Sequence, residues 1–458
     1  MLNLARRPNQ LPLRRLGSLF AIAFGMLILA RGPADAGLFD PKTFVLDNGL
    51  QVVLIEDHRA PVVTQMIWYR AGSADEPLGK SGIAHFLEHL MFKGTRDVPA
   101  GEFSEIVTRN GGRENAFTSY DYTGYFQTVA ADRLEAVMRL EADRMTNLTL
   151  TEEQVIAERK VILEERSSRV DNTPTGLFFE QMNAAQYLTY PYRIPVIGWE
   201  NEIRKLSLDD ALDWYRTYYT PNNAILIVAG DVTLDVLRPL AEKYYGVIPQ
   251  RAQPVRNRPQ EPAQLAARRL EMFHAQVTQD TWRRSYLAPS YLWGETQHAL
   301  PLQLLAQVLG GRSTSRLYRD MVIEGQIAVQ ASAFYSATDV GPSQFFLFAV
   351  PRRDTTLDDI EARMEALIAD VVENGITQDE LDRTKRFLLA QAIYARDNVQ
   401  GAARIFGEAL TNGRSVDDVE SWPDRINAVT LDEVNAAARY VFDKSRSVTG
   451  ILRPRQPS

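Results

Sequence analysis

Apolar and polar positions alternate along the chain after residue 40 in two periods, one of strands and one of helices. Thr43 to Glu56 reads as two strands folded about Asp47-Asn48-Gly49, an Asn-Gly step being suited to the left-handed backbone of tight hairpin turns. Val62 to Arg70 is a further strand. Apolar residues three and four apart then predict helices at roughly 81–92, 101–110, 131–146 and 151–168. The last opens on Thr151-Glu152-Glu153-Gln154, a pattern in which hydroxyl and side-chain amide cap the first turn reciprocally. Hairpins interleaved with helices give an α+β fold, helices packed on a mostly antiparallel sheet.

The pattern then repeats. Leu150-Thr151-Glu152-Glu153-Gln154-Val155 is echoed by Ile376-Thr377-Gln378-Asp379-Glu380-Leu381, and Leu206-Ser207-Leu208-Asp209-Asp210-Ala211 by Val429-Thr430-Leu431-Asp432-Glu433-Val434. The offsets, 226 and 223 residues, are nearly constant, and a helix and an apolar strand follow each of the second pair: Ala224 to Ala229 in one half, Ser447 to Leu452 in the other. Two homologous halves are the expectation. Between them Ile248 to Pro262 is rich in proline and charge and lacks apolar periodicity, as an extended linker would be. The predicted organisation is therefore residues 37–247, a linker at 248–264, and residues 265–458.

Residues 1–36 stand apart. Arg6, Arg7, Arg14 and Arg15 precede an apolar run from Leu16 to Ala30, and Ala34-Asp35-Ala36 offers the small residues of a cleavage site. A signal peptide and export, with a bacterial periplasm as destination, are expected. An apolar run of about 15 residues falls short of the ~20 that span a bilayer, which argues against stable membrane insertion. Removing this segment takes five of 51 basic and one of 58 acidic residues from a chain of net charge −7, leaving a more acidic protein unsuited to nucleic acid.

The candidate chemistry lies in Gly82-Ile83-Ala84-His85-Phe86-Leu87-Glu88-His89-Leu90, which holds two of the five histidines. Residues four apart on a helix share a face, so His85 and His89 can grip one metal ion while Glu88 projects beside it as a general base. A catalytic zinc usually takes three protein ligands. The stretch Glu158-Arg159-Lys160-Val161-Ile162-Leu163-Glu164-Glu165 offers three glutamates, of which Glu158 and Glu165 share a face and Glu164 is a rival one residue away.

Here the chain resembles the pitrilysin/insulinase metallopeptidases: the H-x-x-E-H motif, Leu90-Met91-Phe92-Lys93-Gly94-Thr95, Gly111-Gly112-Arg113-Glu114-Asn115-Ala116-Phe117-Thr118-Ser119 and the paired glutamates follow that family's order and spacing. The resemblance implies a zinc endopeptidase in which His85, His89 and Glu165 bind one zinc per chain, Glu88 is the catalytic base for a zinc-activated water, and Glu158 supports the ligands. It implies two halves facing each other like a clamshell. It also implies that Asn115, Ala116, Phe117 and Thr118 form an edge strand to which a peptide or unfolded polypeptide adds as a further strand.

The second half departs from this chemistry. Glu165 falls on Gln391 at the duplication offset, and the helix around Gln303 to Gln307 has no metal-binding side chain. His58, His274 and His298 are isolated and read as surface or loop residues. Where active members or their partners carry an arginine and a tyrosine that hold substrate, this chain has Val322 and Val329. It thus resembles the catalytic subunit of two-subunit members such as the mitochondrial processing peptidase and exported bacterial relatives, which implies a homologous non-catalytic partner supplying the missing pair. Arg312 or Arg316 are alternative donors within the chain. A non-catalytic assembly subunit and a periplasmic peptide-binding protein are the alternative functions.

Overall fold

A computed structural model describes residues 37–455. The predicted signal peptide lies outside them. Among the described residues eleven strands form two sheets: β1 Lys42–Val45, β2 Gln51–Glu56, β3 Val62–Tyr69, β4 Arg113–Thr118, β5 Thr123–Ala130 and β6 Ala224–Gly230, then β7 Arg268–His274, β8 Thr281–Ala288, β9 Ala328–Tyr335, β10 Ser343–Pro351 and β11 Ser447–Pro454. The first sheet runs β1-β2-β6-β3-β5-β4 and the second β7-β11-β8-β10-β9, the same order without β1. In each, one pair is parallel, β2 with β6 and β7 with β11. The fold is α+β in two homologous halves.

Local chemistry accounts for the elements. Residues 224–230, Ala-Ile-Leu-Ile-Val-Ala-Gly, are buried throughout because both faces of this central strand are covered. In β10, buried and half-buried residues alternate with the strand period of two. The helices Glu152–Arg166 and Gln378–Ala395 begin with the same reciprocal cap, Thr151 with Gln154 and Thr377 with Glu380. Leu208–Tyr218 and Leu431–Val441 begin likewise on Ser207 and Thr430. The expected hairpin forms, β1 antiparallel to β2. Its Asn48 does more than turn the chain, since Nδ2 donates to the carbonyls of Tyr245 at 2.6 Å and Ile248 at 2.9 Å.

The halves are clasped by an exchange of helices. Pro174–Gln186, from the first half, packs on β11, β7 and β8 of the second sheet, and Val399–Thr411 packs on β6, β3 and β2 of the first. Gly407 lies against the indole of Trp68; a β-carbon there would sit 2.0 Å from the ring. Phe406, Ala402 and Leu410 join Trp68, Met66 and Ile227 in one core shared by both halves.

The connecting segment has no helix or strand from 249 to 267, yet it is no free tether. Glu261 accepts hydrogen bonds from the backbone N–H groups of Leu188, Thr189 and Tyr190 at 2.7–3.0 Å. Arg258 reaches Asp75 and Asp121, both nearly inaccessible to solvent, at 3.0 and 2.5 Å. Its charged residues therefore neutralise buried carboxylates, a role that composition alone does not distinguish from solvation.

Candidate metal centre and active site

The Ile83–Leu90 helix begins at Gly82, whose φ of 86° favours glycine and which has no side chain to cap the first turn. Glu76 supplies that cap from outside, accepting from the N–H of Gly82 at 2.9 Å and of Ala84 at 3.0 Å. A β-carbon on Gly82 would also lie 2.6 Å from the carbonyl oxygen of Ile197. Ile83, Ala84, Phe86, Leu87 and Leu90 bury the helix in the first core. His85, Glu88 and His89 are left along the face toward the Glu152–Arg166 helix and β4.

His85, His89 and Glu165 each present a ligand atom within 4.8 Å of the other two. One carboxylate oxygen of Glu165 lies 3.3 Å from His89 Nε2 and 3.7 Å from His85 Nε2. Glu164 points to solvent. Glu158, two turns before Glu165, accepts from His89 Nδ1 at 2.9 Å and pairs with Lys93. Arg169 holds the other oxygen of Glu165 at 2.6 Å from a π-helical turn, Ser167–Asp171, that continues the glutamate helix. Such single π turns recur at functional sites.

Electrostatics separates the two imidazoles. Burial, aided by His89, holds His85 down at about 4, so it is neutral with a lone pair to offer. Burial also disfavours charge on His89, but the hydrogen bonds that its ring donates to Glu158 and Glu165 outweigh it and raise its pKa to about 9. His85 Nδ1 is buried without a hydrogen-bond partner, an uncompensated polar atom beside the cluster. Two imidazoles and a carboxylate are a donor set suited to zinc, and the carboxylate behind His89 fixes its tautomer.

Glu88 points its carboxylate toward β4, where Thr118 Oγ1 donates to Oε2 at 2.5 Å. Burial raises the Glu88 pKa, and the Thr118 bond opposes the rise. β4 is the outer strand of its sheet. Asn115 is exposed, while Ala116, Phe117 and Thr118 are partly so. Phe117 faces away from the histidines, packing on Trp68 at 4.8 Å between ring centroids. The sequence did not single out Thr118 as a partner of Glu88, nor Lys93 or Arg169; Glu76 had a signal in the uncapped Gly82.

Two sequence models match in succession, Insulinase (Peptidase family M16) over residues 51–199 and Peptidase M16 inactive domain over 205–388. The crystal structure of a protease from Helicobacter pylori superposes with a TM-score of 0.85 at 30% identity, covering 90% of this chain and 99% of that one. The chain belongs to the M16 peptidase family. It is also 29% identical over 442 residues to the zinc protease PqqE of Helicobacter pylori, across 95% of this chain and 98% of the relative. The first half of the periplasmic protease PqqL from Escherichia coli shares the fold, with a TM-score of 0.76 at 22% identity over 90% of this chain and 92% of that one.

Within this M16 chain the second half carries no equivalent cluster among the described residues. Gln391 is exposed on the helix that corresponds to that of Glu165. His58 pairs with Asp231 at the surface at 2.7 Å. His274 ends strand β7 and His298 stacks on Tyr440, so neither is a simple loop histidine. Val322 packs against the second core and Val329 is exposed on β9. Arg316 is not a free donor, because Glu380 at 2.6 Å and Asp370 at 3.3 Å already engage it. Arg312 stacks on Phe387, 4.0 Å from its centroid. No helix among the described residues is long and apolar enough to cross a membrane.

Proposed function

We propose that this chain is a zinc-dependent endopeptidase acting on peptides or unfolded polypeptides, exported to the periplasm by a cleaved signal peptide at residues 1–36. The observation that carries the reading is the convergence of His85, His89 and Glu165 beside a buried Glu88 that is not one of the three. Those three residues would hold the ion, and zinc, when bound, supplies Lewis acidity toward water and the peptide carbonyl. Glu88 takes a proton from the attacking water on its carboxylate and returns it to the leaving amine. Thr118 keeps that carboxylate in one rotamer through the 2.5 Å bond. Glu158 and Lys93 hold the His89 ring, and Arg169 steadies Glu165. The substrate adds to β4 at Asn115 to Thr118 by backbone hydrogen bonds, which select extended chains over folded ones.

A homologous non-catalytic subunit would supply the arginine and tyrosine missing at Val322 and Val329. The engagement of Arg316 with Glu380 and Asp370 favours a donor from outside the chain. Replacing Glu88 with glutamine tests the whole reading: the protein should keep its zinc and lose hydrolysis, and near-normal peptidase activity in that variant would refute the base assignment.

A further inference from the structure

The Pro174–Gln186 helix leaves the outer faces of β9 and β10 partly uncovered, and a cavity of about 260 Å³ opens there, bounded by Phe179, Arg283, Phe334, Asp339 and Phe346 among others. It is separate from the His85, His89 and Glu165 cluster. Arg283 lies between two aromatic rings, its guanidinium carbon 4.0 Å from the centroid of Phe179 and 4.1 Å from that of Phe346. Both rings lie within cation–π reach of the guanidinium, and among the described residues no group accepts a hydrogen bond from its N–H edge. Among the described residues no carboxylate pairs with it, and burial alone draws its pKa down to about 10.

Asp339 lines the same cavity. Burial, with the nearby charge of Asp121, lifts its carboxyl to about 7. Asp121 is itself committed to Arg258 and to the hydroxyl of Tyr192 at 2.6 Å, and no cation pairs with Asp339 among the described residues. Arg283 and Asp339 are both half-buried and face one cavity without pairing with each other, so each keeps hydrogen-bonding capacity that a ligand in the cavity can use.

We propose that this cavity binds a small zwitterion, a free amino acid or a dipeptide with an apolar or aromatic side chain. The ligand's carboxylate meets the free edge of Arg283, its ammonium meets Asp339, and its side chain lies against Phe179, Phe334 and Phe346. A planar guanidinium is the group best matched to a carboxylate through paired hydrogen bonds. Such ligands belong to the chemical class of end products of peptide hydrolysis, but the site stands whether or not the chain cuts peptides.

Calorimetric titration of the full-length protein tests this, with L-phenylalanine and glycyl-L-phenylalanine as probes and the Glu88→Gln protein run in parallel to remove any heat of hydrolysis. Saturable binding of either probe is expected, and the two arms tell a free amino acid from a dipeptide. N-acetylphenylalanine, lacking the ammonium, and phenylalaninamide, lacking the carboxylate, should each bind roughly tenfold to a hundredfold more weakly, as should phenylalanine to Arg283→Met and Asp339→Asn. No saturable binding at millimolar concentration, or equal affinity for the charged and charge-deleted ligands, overturns the proposal. The analogue series needs only the unsubstituted protein, so it decides even if Arg283→Met fails to fold.

Discussion

Replacing Thr118 with valine removes one hydroxyl and keeps the shape of the side chain, which makes it a clean probe of how Glu88 is held. Thr118 Oγ1 lies 2.5 Å from Glu88 Oε2, a direct bond to a carboxylate that is otherwise largely buried. A hydrogen bond to a charged group contributes about 1.5–3 kcal/mol. If that contribution is felt mainly where Glu88 moves a proton, kcat falls by roughly ten- to a hundredfold, since 1.36 kcal/mol corresponds to a factor of ten. The zinc ligands do not contact Thr118, so metal content should stay at the unsubstituted level, and Thr118→Ser should recover most of the rate. Peptidase kinetics on a fluorogenic peptide, with metal analysis of the same samples, read both quantities. Unchanged kcat in Thr118→Val, or loss of zinc with it, would show that Thr118 does not act through Glu88.

Other expectations concern the ligands, the scaffold and the partner. Glu165→Gln should lower zinc occupancy after mild chelation more than Glu164→Gln, because Glu165 faces the histidines and Glu164 faces solvent; the reverse order would move the third ligand. Gly82→Ala should destabilise the protein to urea by about 1 kcal/mol or more, given a φ of 86° and a contact of 2.6 Å with Ile197, and an unchanged midpoint would contradict this. Burial pushes Glu380 up, but Arg316 and the Thr377 N–H outweigh it and hold the carboxyl at about 2, below its ordinary 4.5. Its stabilising contribution is therefore complete above pH 4.5 and lost as pH falls through 2, so Glu380→Gln should lower stability at neutral pH with the difference closing in acid. A difference independent of pH would remove the Arg316 pairing from the account. Activity should rise saturably as a homologous subunit bearing the arginine and tyrosine is titrated in, whereas full activity from a demonstrated monomer would exclude that dependence.

The elements were legible because their signals are local. Apolar periods, the Asn48-Gly49 step and the caps at Thr151, Ser207, Thr377 and Thr430 each act within a few residues, and the repeat of those caps exposed the two halves. The exchange of helices was not legible. The apolar face of Val399–Thr411 specifies that it must be covered, but nothing in its period says that the other half's Trp68 does so. The segment at 248–264 shows the same limit, since arginine and glutamate look alike whether they face water or, as with Arg258 and Glu261, close buried contacts. At the candidate site, helical spacing brought His85, Glu88 and His89 together and placed Glu165 with Glu158. The groups that orient them, Thr118, Lys93, Arg169 and Glu76, arrive from a strand, a helix end, a π turn and a preceding loop, so no motif spacing reports them.

Diffraction from crystals of the zinc-loaded protein, recorded on either side of the zinc absorption edge, locates the metal and its ligands. One anomalous peak per chain is expected, within bonding distance of a nitrogen of His85, a nitrogen of His89 and a carboxylate oxygen of Glu165, with Glu88 beside it and outside the coordination sphere. A peak ligated by Glu88 or Glu164 in place of Glu165, or no peak among these residues in zinc-loaded crystals, would contradict this assignment.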